Sequence, residues 1–429
     1  MDSGLEIRRA LERARAGTEA LLEPVPDDEL VAQISPLQSP LVWDFAHIAY
    51  FEELWLLRNL DGRPPVAEEH DEVYDAFRHA RSERSTLPIL RPEAARAYAA
   101  DVRDQVLEVL DGVELDGGSS PLLRDGFVFA LVVQHELQHQ ETLLQTLQLR
   151  TDREYSLPEA AARAPVSPGP DEVEVPGGVF LLGAVDEPWA YDNELQPHEL
   201  ELPPFVVDRS PVSNAAFTEF VAGGGYDDER LWSTEGWAWR NREDASAPLY
   251  WERADSGWER ARFGRREPVP PGEPVQHVSF HEAEAFARWA EKRLPTEAEW
   301  ERAAGWDPLA GKNRYPWGRE YTGDEANLGH RRLGPVPVGS CAGGESPAGC
   351  LQMTGDVWEW TSSLFQPYPG FAAFPYAEYS EVFFGGEYRV LRGGSWATDP
   401  LVARVSFRNW DYPIRRQIFT GFRCARDAS

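Results

Sequence analysis

Apolar positions in the first third of the chain recur every three or four residues, which is the spacing of amphipathic helices. Four segments follow this pattern, at residues 5–22, 39–61, 92–110 and from about residue 121 to 149. Ser39 is placed to cap the second helix, and Pro40 fits its first turn. Four helices of similar length, with a long connection between the second and the third, predict an all-α four-helix bundle.

The pattern changes after Arg153. Residues 154–172 are rich in proline and alanine and show no periodicity, so they are predicted to be a linker. Beyond residue 173 short strand patterns alternate with glycine and proline turns, and helical periodicity returns at residues 214–222 and 280–304. We therefore predict a helical domain at 1–153, a linker at 154–172 and an α+β domain at 173–429.

Composition narrows the function classes. A chain of 429 residues exceeds the usual size of a single core, and its formal net charge of -30 makes nucleic acid and anionic membranes poor partners. Three cysteines do not form a disulfide framework at this length, which favours a reducing compartment. We found no signal-peptide pattern and no apolar run that could span a bilayer, so we expect a cytoplasmic protein.

The string HELQH at residues 135–139 places two imidazoles one helical turn apart, on one face of the fourth helix. His47 lies on the apolar face of the second helix. Three interpretations are open: the histidines are polar core residues, they bind zinc in a protease whose general base is Glu136, or His47, His135 and His139 form a three-histidine metal site. Nitrogen ligands alone suit iron, zinc, copper or nickel.

Two groups of segments resemble a known family. LVWDFAHIAYFEELWLL (41–57) and HELQHQETLLQ (135–145) resemble the DinB-like domain of the ergothioneine-biosynthesis sulfoxide synthases. LPTEAEWERAA (294–304), YPWG (315–318), GDVWEW (355–360), RVLRGGSW (389–396) and GFRCA (421–425) resemble, in order, segments of the formylglycine-generating-enzyme domain, a variant of the C-type lectin fold. The tryptophans of these segments, Trp300, Trp358, Trp360 and Trp396, are predicted to lie in the core. The cysteine pair of a formylglycine-generating enzyme proper is missing from SFRNWDYPIRRQIF (406–419).

The resemblance implies a multidomain protein, a DinB-like four-helix bundle followed by an α+β C-type-lectin-like domain, with the active site between them. It implies Fe(II) on His47, His135 and His139. It implies that O2 is used to join γ-glutamylcysteine to hercynine, the trimethylated form of histidine, as a sulfoxide. By the same resemblance Tyr376 is the catalytic proton donor, Arg81, Arg84 and Asp411 bind γ-glutamylcysteine, and Gln138, Tyr379, Asn409 and Trp410 bind hercynine. We expect a monomer.

Other functions stay open at this point. A related sulfoxide synthase could take cysteine or glutathione as the thiol, or attach sulfur to histidine as in ovothiol formation. The paired Arg81 and Arg84 favour a dicarboxylic thiol, because a guanidinium fork suits a carboxylate and free cysteine has one carboxylate. A zinc hydrolase and a non-catalytic binding protein on the lectin-like fold are the alternatives from other classes.

Overall fold

Helices come first along the chain and sheets follow. The structure is a computed structural model that describes residues 3–115, 120–158 and 171–428. The chain divides into two units, Met1–Ser156 and Leu157–Ser429. This division falls within the predicted linker, most of which (159–170) lies outside the described residues.

The first unit is helical. Its α-helices are α1 (Ser3–Leu22), α2 (Asp27–Leu30), α3 (Leu41–Glu52), α4 (His70–Tyr74), α5 (Pro92–Gly112) and α6 (Phe127–Gln148). Helices α1, α3, α5 and α6 occupy the segments with helical periodicity, and α1 packs on α6 while α3 packs on both α5 and α6. All twelve residues of α3 are buried, as expected for a helix that is apolar on nearly every side.

Two details at the helix ends differ from prediction. Ser39 does not cap α3; its hydroxyl accepts a hydrogen bond from Arg84 Nη1 at 2.8 Å. Helix α6 begins at Phe127 instead of near Pro121, because Asp125 and Gly126 adopt left-handed backbone conformations with φ of 52° and 68°. A 3-10 turn over Pro121–Gly126 precedes that break.

Helix α3 continues without interruption into a π-helical segment, Glu53–Leu60. The connection that follows is long, but it is not structureless. It contains α4 and a 3-10 turn at Arg81–Thr86, and α4 packs against α3. This connection therefore brings Tyr74 and Arg84 next to the helix that carries His47.

In its described part, the second unit is built from small sheets and four α-helices. Its strands are β1 (Glu172–Val175), β2 (Gly178–Leu182), β3 (His198–Leu202), β4 (Phe205–Asp208), β5 (Trp251–Ala254), β6 (Gly257–Arg262), β7 (Arg265–Pro268), β8 (Trp306–Asp307), β9 (Gly311–Lys312), β10 (Trp358–Leu364), β11 (Arg389–Arg392), β12 (Asn409–Asp411), β13 (Thr420–Gly421) and β14 (Ala425–Asp427). They form sheets in the orders β1-β4-β14, β12-β11-β10-β13, β2-β3, β5-β6-β7 and β8-β9.

The helices of this unit are α7 (Asn214–Ala222), α8 (Thr234–Glu243), α9 (Phe280–Trp289) and α10 (Glu297–Gly305). Helix α7 matches its prediction. The single helix expected over 280–304 is two helices, because Pro295 interrupts it and Thr296 starts α10 with a capping box. Helix α8 was missed because polar residues surround its tryptophans and leave no apolar stripe.

The core of the second unit forms where α10 packs against the β1-β4-β14 sheet. Trp300 is fully buried there among small and β-branched side chains. The four tryptophans predicted to be core residues are at most 4% exposed. None of the described helices combines the length and the hydropathy needed to cross a bilayer.

Candidate metal centre

Three imidazoles meet inside the helical unit. His47 comes from α3, and His135 and His139 come from α6. One ligand nitrogen of each lies within 4.8 Å of the others, and the ring centroids are 4.5 to 5.0 Å apart. The i, i+4 spacing accounts for the pair on α6, and the packing of α3 on α6 supplies the third ring.

Neighbouring groups fix the orientation of His47. Its Nδ1 lies 2.8 Å from the backbone oxygen of Tyr74, and a carbonyl can only accept, so Nδ1 carries the proton. That leaves Nε2 with a free lone pair. The ring also stacks on Trp43, with centroids 4.9 Å apart and planes 11° apart.

The two histidines of α6 have different neighbours. His135 stacks on Phe51, with a centroid distance of 3.7 Å and an interplanar angle of 11°. His139 has its Nδ1 3.4 Å from Oδ1 of Asp44. Both rings are partly exposed, whereas His47 is buried. An exchangeable ligand could therefore reach the cluster from the side of His135 and His139.

The electrostatics keep the rings of His47 and His135 neutral. Burial lowers the pKa of His47 and of His135 well below the usual range of histidine, and the neighbouring His139 lowers both further. Neutral imidazole is the form that binds a metal. Three imidazole nitrogens that face one another, in a group that holds no carboxylate or thiolate among the described residues, fit a divalent first-row transition metal.

Glu136, the general base of the zinc-protease interpretation, is part of a buried ion cluster. Its carboxylate accepts from Arg15 Nε at 2.8 Å, Arg103 Nη2 at 3.0 Å and Thr18 Oγ1 at 2.9 Å. Both arginines also bind Glu52. Burial favours the neutral acid, but the charges of Arg15 and Arg103 outweigh it and hold the pKa of Glu136 below its usual value. A carboxylate bonded in this way is unsuited to accept a proton from water.

Arg81 and Arg84, the two arginines predicted to bind the thiol substrate, differ in environment. Arg84 is buried, donates to Ser39 and to the backbone oxygen of Ala76, and places its guanidinium 3.7 Å from the ring centre of Trp43. Burial lowers its pKa to about 10. Its Nε is buried and has no hydrogen-bond partner among the described residues. Arg81 is exposed.

Trp43 therefore lies between a candidate substrate-binding guanidinium and a candidate metal ligand, because one face of its ring meets Arg84 and the ring also stacks on His47. Gln138, predicted to bind hercynine, is a partly exposed residue of α6 next to His139. The helical unit thus places the six predicted site residues of the first half on α3, on α6 and on the turn at Arg81–Thr86.

In the second unit the structure brings three of the predicted aromatic residues together. The ring centroid of Tyr379 lies 6.3 Å from that of Tyr376 and 5.9 Å from that of Trp410, and both pairs meet edge to face. Strand β12 consists of Asn409, Trp410 and Asp411. The Asn409 side chain accepts from the backbone N–H of Trp410, and Asp411 lies 3.4 Å from Arg415.

The environment of Tyr376 keeps its hydroxyl protonated. Burial raises the pKa of Tyr376 above the usual range of tyrosine, and the nearby Tyr191 and Asp192 raise it further. The group is therefore a neutral hydroxyl at any physiological pH. It can donate a proton, but it does not carry a resident negative charge.

The sequence did not predict the residues that support this loop. Asp192 accepts from the backbone N–H of Phe374 at 3.2 Å and from the Ser380 hydroxyl, and Tyr191 stacks on Tyr379 at 4.1 Å. No periodicity marks the segment at 191–194. Asp44 was also missed, although it is the one charged residue between Leu41 and Phe51 and could have been noticed for that reason.

Comparison with known proteins supports a family assignment. The model of the sulfatase-modifying factor enzyme 1-like domain matches residues 157–428, and that of the DinB superfamily matches residues 10–143. The protein named hercynine oxygenase from Mycobacterium tuberculosis is 49% identical over 436 residues, covering all of both chains. Its namesake from Mycolicibacterium smegmatis is 50% identical over 429 residues, covering 96% of this chain and 97% of that one.

The second unit alone has more distant relatives. A formylglycine-generating enzyme from Streptomyces coelicolor is 35% identical over 288 residues, which is 60% of this chain and 89% of that protein. The mycobacterial proteins, by contrast, match both units at about half identity along the full length. This chain, an oxygenase with a DinB-like domain followed by a sulfatase-modifying-factor domain, belongs to the hercynine oxygenase family.

Proposed function

We propose that this chain uses iron(II) and O2 to join γ-glutamylcysteine to hercynine through a carbon–sulfur bond, giving γ-glutamyl-hercynylcysteine sulfoxide in ergothioneine biosynthesis. The observation that carries the proposal is the three-histidine cluster, in a chain that matches hercynine oxygenases over its whole length. The names of those relatives support the oxidation of hercynine, whereas the thiol and the use of iron(II) belong to the proposal.

His47, His135 and His139 would hold the iron. Three imidazole ligands leave the remaining positions of a metal free, and iron bound there would supply the redox chemistry for O2, sulfur and the imidazole carbon. The protein itself contributes groups that bind, orient and protonate. The hydroxyl of Tyr376 is suited to hold a proton for the reacting atoms, because its pKa is raised by desolvation.

The arginines would select the thiol. γ-Glutamylcysteine carries two carboxylates, and Arg81 and Arg84 stand three residues apart on one turn. The unpartnered Nε of Arg84 is a donor that a carboxylate oxygen could satisfy, which would remove the cost of leaving it buried and unbonded. Asp411 would pair with the amino group of the same substrate.

The aromatic residues would bind hercynine. Its trimethylammonium group has no N–H to donate, so it is recognised by the faces of aromatic rings. Tyr379 and Trp410 offer two such rings at nearly right angles, 5.9 Å apart. Gln138 and Asn409 carry the amide groups that would bond the polar parts of hercynine.

Several finer predictions belong with this proposal. The long helices α1, α3, α5 and α6 support a four-helix bundle as the architecture of the first unit. We also propose the C-type-lectin variant for the second unit, the domain bounds 1–153 and 173–429, and a monomer in the cytoplasm. The zinc-hydrolase alternative is disfavoured because Glu136 is held by Arg15 and Arg103.

The test is anaerobic loading with Fe(II), followed by O2 uptake with hercynine and each of γ-glutamylcysteine, cysteine and glutathione, with products identified by mass. We expect rapid uptake and a sulfoxide product with γ-glutamylcysteine. A product with cysteine alone would replace the proposed thiol, and no uptake with any thiol would contradict the function.

Changing His47→Ala provides the matched control for the metal. We expect this variant to keep its helical circular-dichroism spectrum but to lose iron binding and turnover, because two histidines on one helix leave the site incomplete. Full iron content and full turnover in purified His47→Ala protein would remove His47 from the metal site.

A further inference from the structure

Asp44 is a buried carboxylate next to the histidine cluster. It lies on the first turn of α3, one turn before His47, and is 2% exposed. Its Oδ1 is 3.4 Å from Nδ1 of His139, whereas its Oδ2 is buried without a hydrogen-bond partner among the described residues. Burying a carboxylate is costly unless a donor or a cation compensates for the lost water.

The ordinary roles of an aspartate at this place do not account for it. An aspartate early in a helix usually caps the free backbone N–H groups, but α3 has no side-chain cap. The charge of Asp44 raises the pKa of Arg84 against the larger lowering by burial, yet the terminal nitrogens of Arg84 are bonded to Ser39 and Ala76. Nδ1 of His139 lies 3.4 Å from Oδ1 of Asp44 and is itself buried with no hydrogen-bond partner among the described residues, so a small approach of the two groups would satisfy both.

We propose that Asp44 is a positioning residue that accepts the Nδ1–H of His139 and so keeps its Nε2 available as the metal ligand. This inference rests on the proposed metal centre. A histidine that binds a metal through one nitrogen generally donates its other N–H to a carboxylate or a carbonyl, which fixes the tautomer and the ring orientation. His47 meets the same need with the carbonyl of Tyr74.

The two histidines are then unequal ligands. The acceptor of His47 is a neutral carbonyl, whereas that of His139 carries a negative charge. A charged acceptor draws the Nδ1 proton more strongly and makes the imidazole a stronger electron donor. His139 would therefore be a stronger electron donor to a bound metal than His47.

The experiment measures metal binding instead of turnover. Wild-type protein, Asp44→Asn and Asp44→Ala are titrated with Co(II), and binding is followed by the visible absorption of the bound ion. We expect Asp44→Ala to bind Co(II) about 10-fold to 100-fold more weakly and with a shifted spectrum, as for losses of such supporting partners in general. Asp44→Asn should lose less, because its amide oxygen can still accept from Nδ1–H but has no charge.

Glu53→Gln is the matched control. Glu53 is another buried carboxylate, directly after α3, but it binds the Tyr98 hydroxyl and the backbone N–H of Val66 and not a histidine. Its loss should change stability and leave the Co(II) affinity and spectrum unaltered. Circular dichroism of all variants separates misfolding from loss of metal binding. If Asp44→Ala does not fold, the Co(II) affinity of the isosteric Asp44→Asn variant tests the role of Asp44.

The outcomes are distinguishable. If folded Asp44→Ala protein binds Co(II) with the affinity and spectrum of the wild type, the role of Asp44 is overturned and the metal centre stands. If Asp44→Ala does not fold, the same result in Asp44→Asn overturns that role. If the wild-type protein itself binds no Co(II) and no Fe(II), the proposed metal centre fails and the role of Asp44 fails with it. An equal loss of affinity in Glu53→Gln would also overturn it, since the effect would then not be specific to the neighbour of His139.

Discussion

At the scale of single residues, each of the three histidines is held by a different kind of neighbour. His47 has a backbone carbonyl and the face of Trp43, His135 has the face of Phe51, and His139 has a carboxylate. Ring stacking and hydrogen bonds restrict the side-chain rotamers before a metal arrives. The free energy of metal binding is therefore not spent on ordering the ligands.

Tyr376→Phe tests the candidate proton donor at this scale. The change removes the hydroxyl and keeps the ring that packs near Tyr379. We expect substrate binding to persist, sulfoxide formation to fall and oxidation of the thiol alone to rise, because the proton that directs the reaction is missing. The product ratio, measured by mass spectrometry, checks this.

Tyr388→Phe is the control for Tyr376→Phe. Its hydroxyl also has a pKa raised by burial, but its ring packs against Tyr412 and Phe383, away from Tyr376. The product ratio of this variant should equal that of the wild-type protein. An unchanged ratio in Tyr376→Phe would show that its hydroxyl is not the proton donor.

At the scale of secondary-structure elements, one buried ion cluster joins the four long helices. Arg15 belongs to α1, Glu52 to α3, Arg103 to α5 and Glu136 to α6. Each carboxylate contacts both arginines, so no charge is left uncompensated. The HELQH string thus places two kinds of group on two faces of one helix: its histidines belong to the candidate metal centre, and its glutamate joins the ion cluster that connects the helices.

Glu136→Gln measures this structural role. Removing one partner of a buried charge cluster typically costs about 3–5 kcal/mol of unfolding free energy, whereas exposed Glu93→Gln on α5 should change it by less than about 0.5 kcal/mol. Urea denaturation of the metal-free proteins gives both values. We expect the Co(II) affinity of folded Glu136→Gln protein to match that of the wild type.

The pH dependence of the difference has a definite sign. The pKa of Glu136 is lowered in the folded state, so its stabilising effect is fully present above the pKa of an unfolded glutamate, about 4.3. It is lost as the pH falls through the lower folded value. Wild type and Glu136→Gln should therefore converge in stability in strong acid. If Glu136→Gln instead left the free energy of unfolding unchanged and abolished turnover, Glu136 would have a catalytic role, as the zinc-hydrolase alternative requires.

At the scale of the whole molecule, the predicted site residues are divided between the two units. The three histidines, Asp44 and both arginines lie in the first unit, whereas the candidate proton donor and the rings proposed to bind hercynine lie in the second. Metal binding and catalysis should therefore be separable by truncation.

A fragment that ends at Ser156 tests this division. It contains the metal ligands, the Tyr74 carbonyl and the ion cluster, so we expect it to fold and to bind Co(II) with an affinity comparable to that of the full chain. It should form no sulfoxide, because Tyr376 is absent. The same fragment with His47→Ala is the control and should bind no metal. Sulfoxide formation by the fragment would contradict the roles given to the second unit.

The sequence by itself determined what depends on near neighbours in the chain. Helical periodicity located α1, α3, α5 and α6, and the spacing of His135 and His139 put two imidazoles on one helix face, because 3.6 residues make a turn. Breaks in periodicity were harder to predict: the left-handed Asp125 and Gly126 delay α6, and Pro295 divides α9 from α10. Tyr376 was chosen over Tyr379 as the candidate proton donor by resemblance alone, because both residues are tyrosines of one loop and nothing in the local sequence distinguishes them.

Only the tertiary structure decided which groups meet across the chain. Asp44 could have been a helix-terminal charge and Ser39 a cap, but packing turned Asp44 toward His139 and gave the Ser39 hydroxyl to Arg84. Packing likewise placed Glu136 between two arginines, where it does not serve as a base. The physical reason is that a local pattern specifies the face on which a side chain lies, whereas its partner is set by the helices that bury that face.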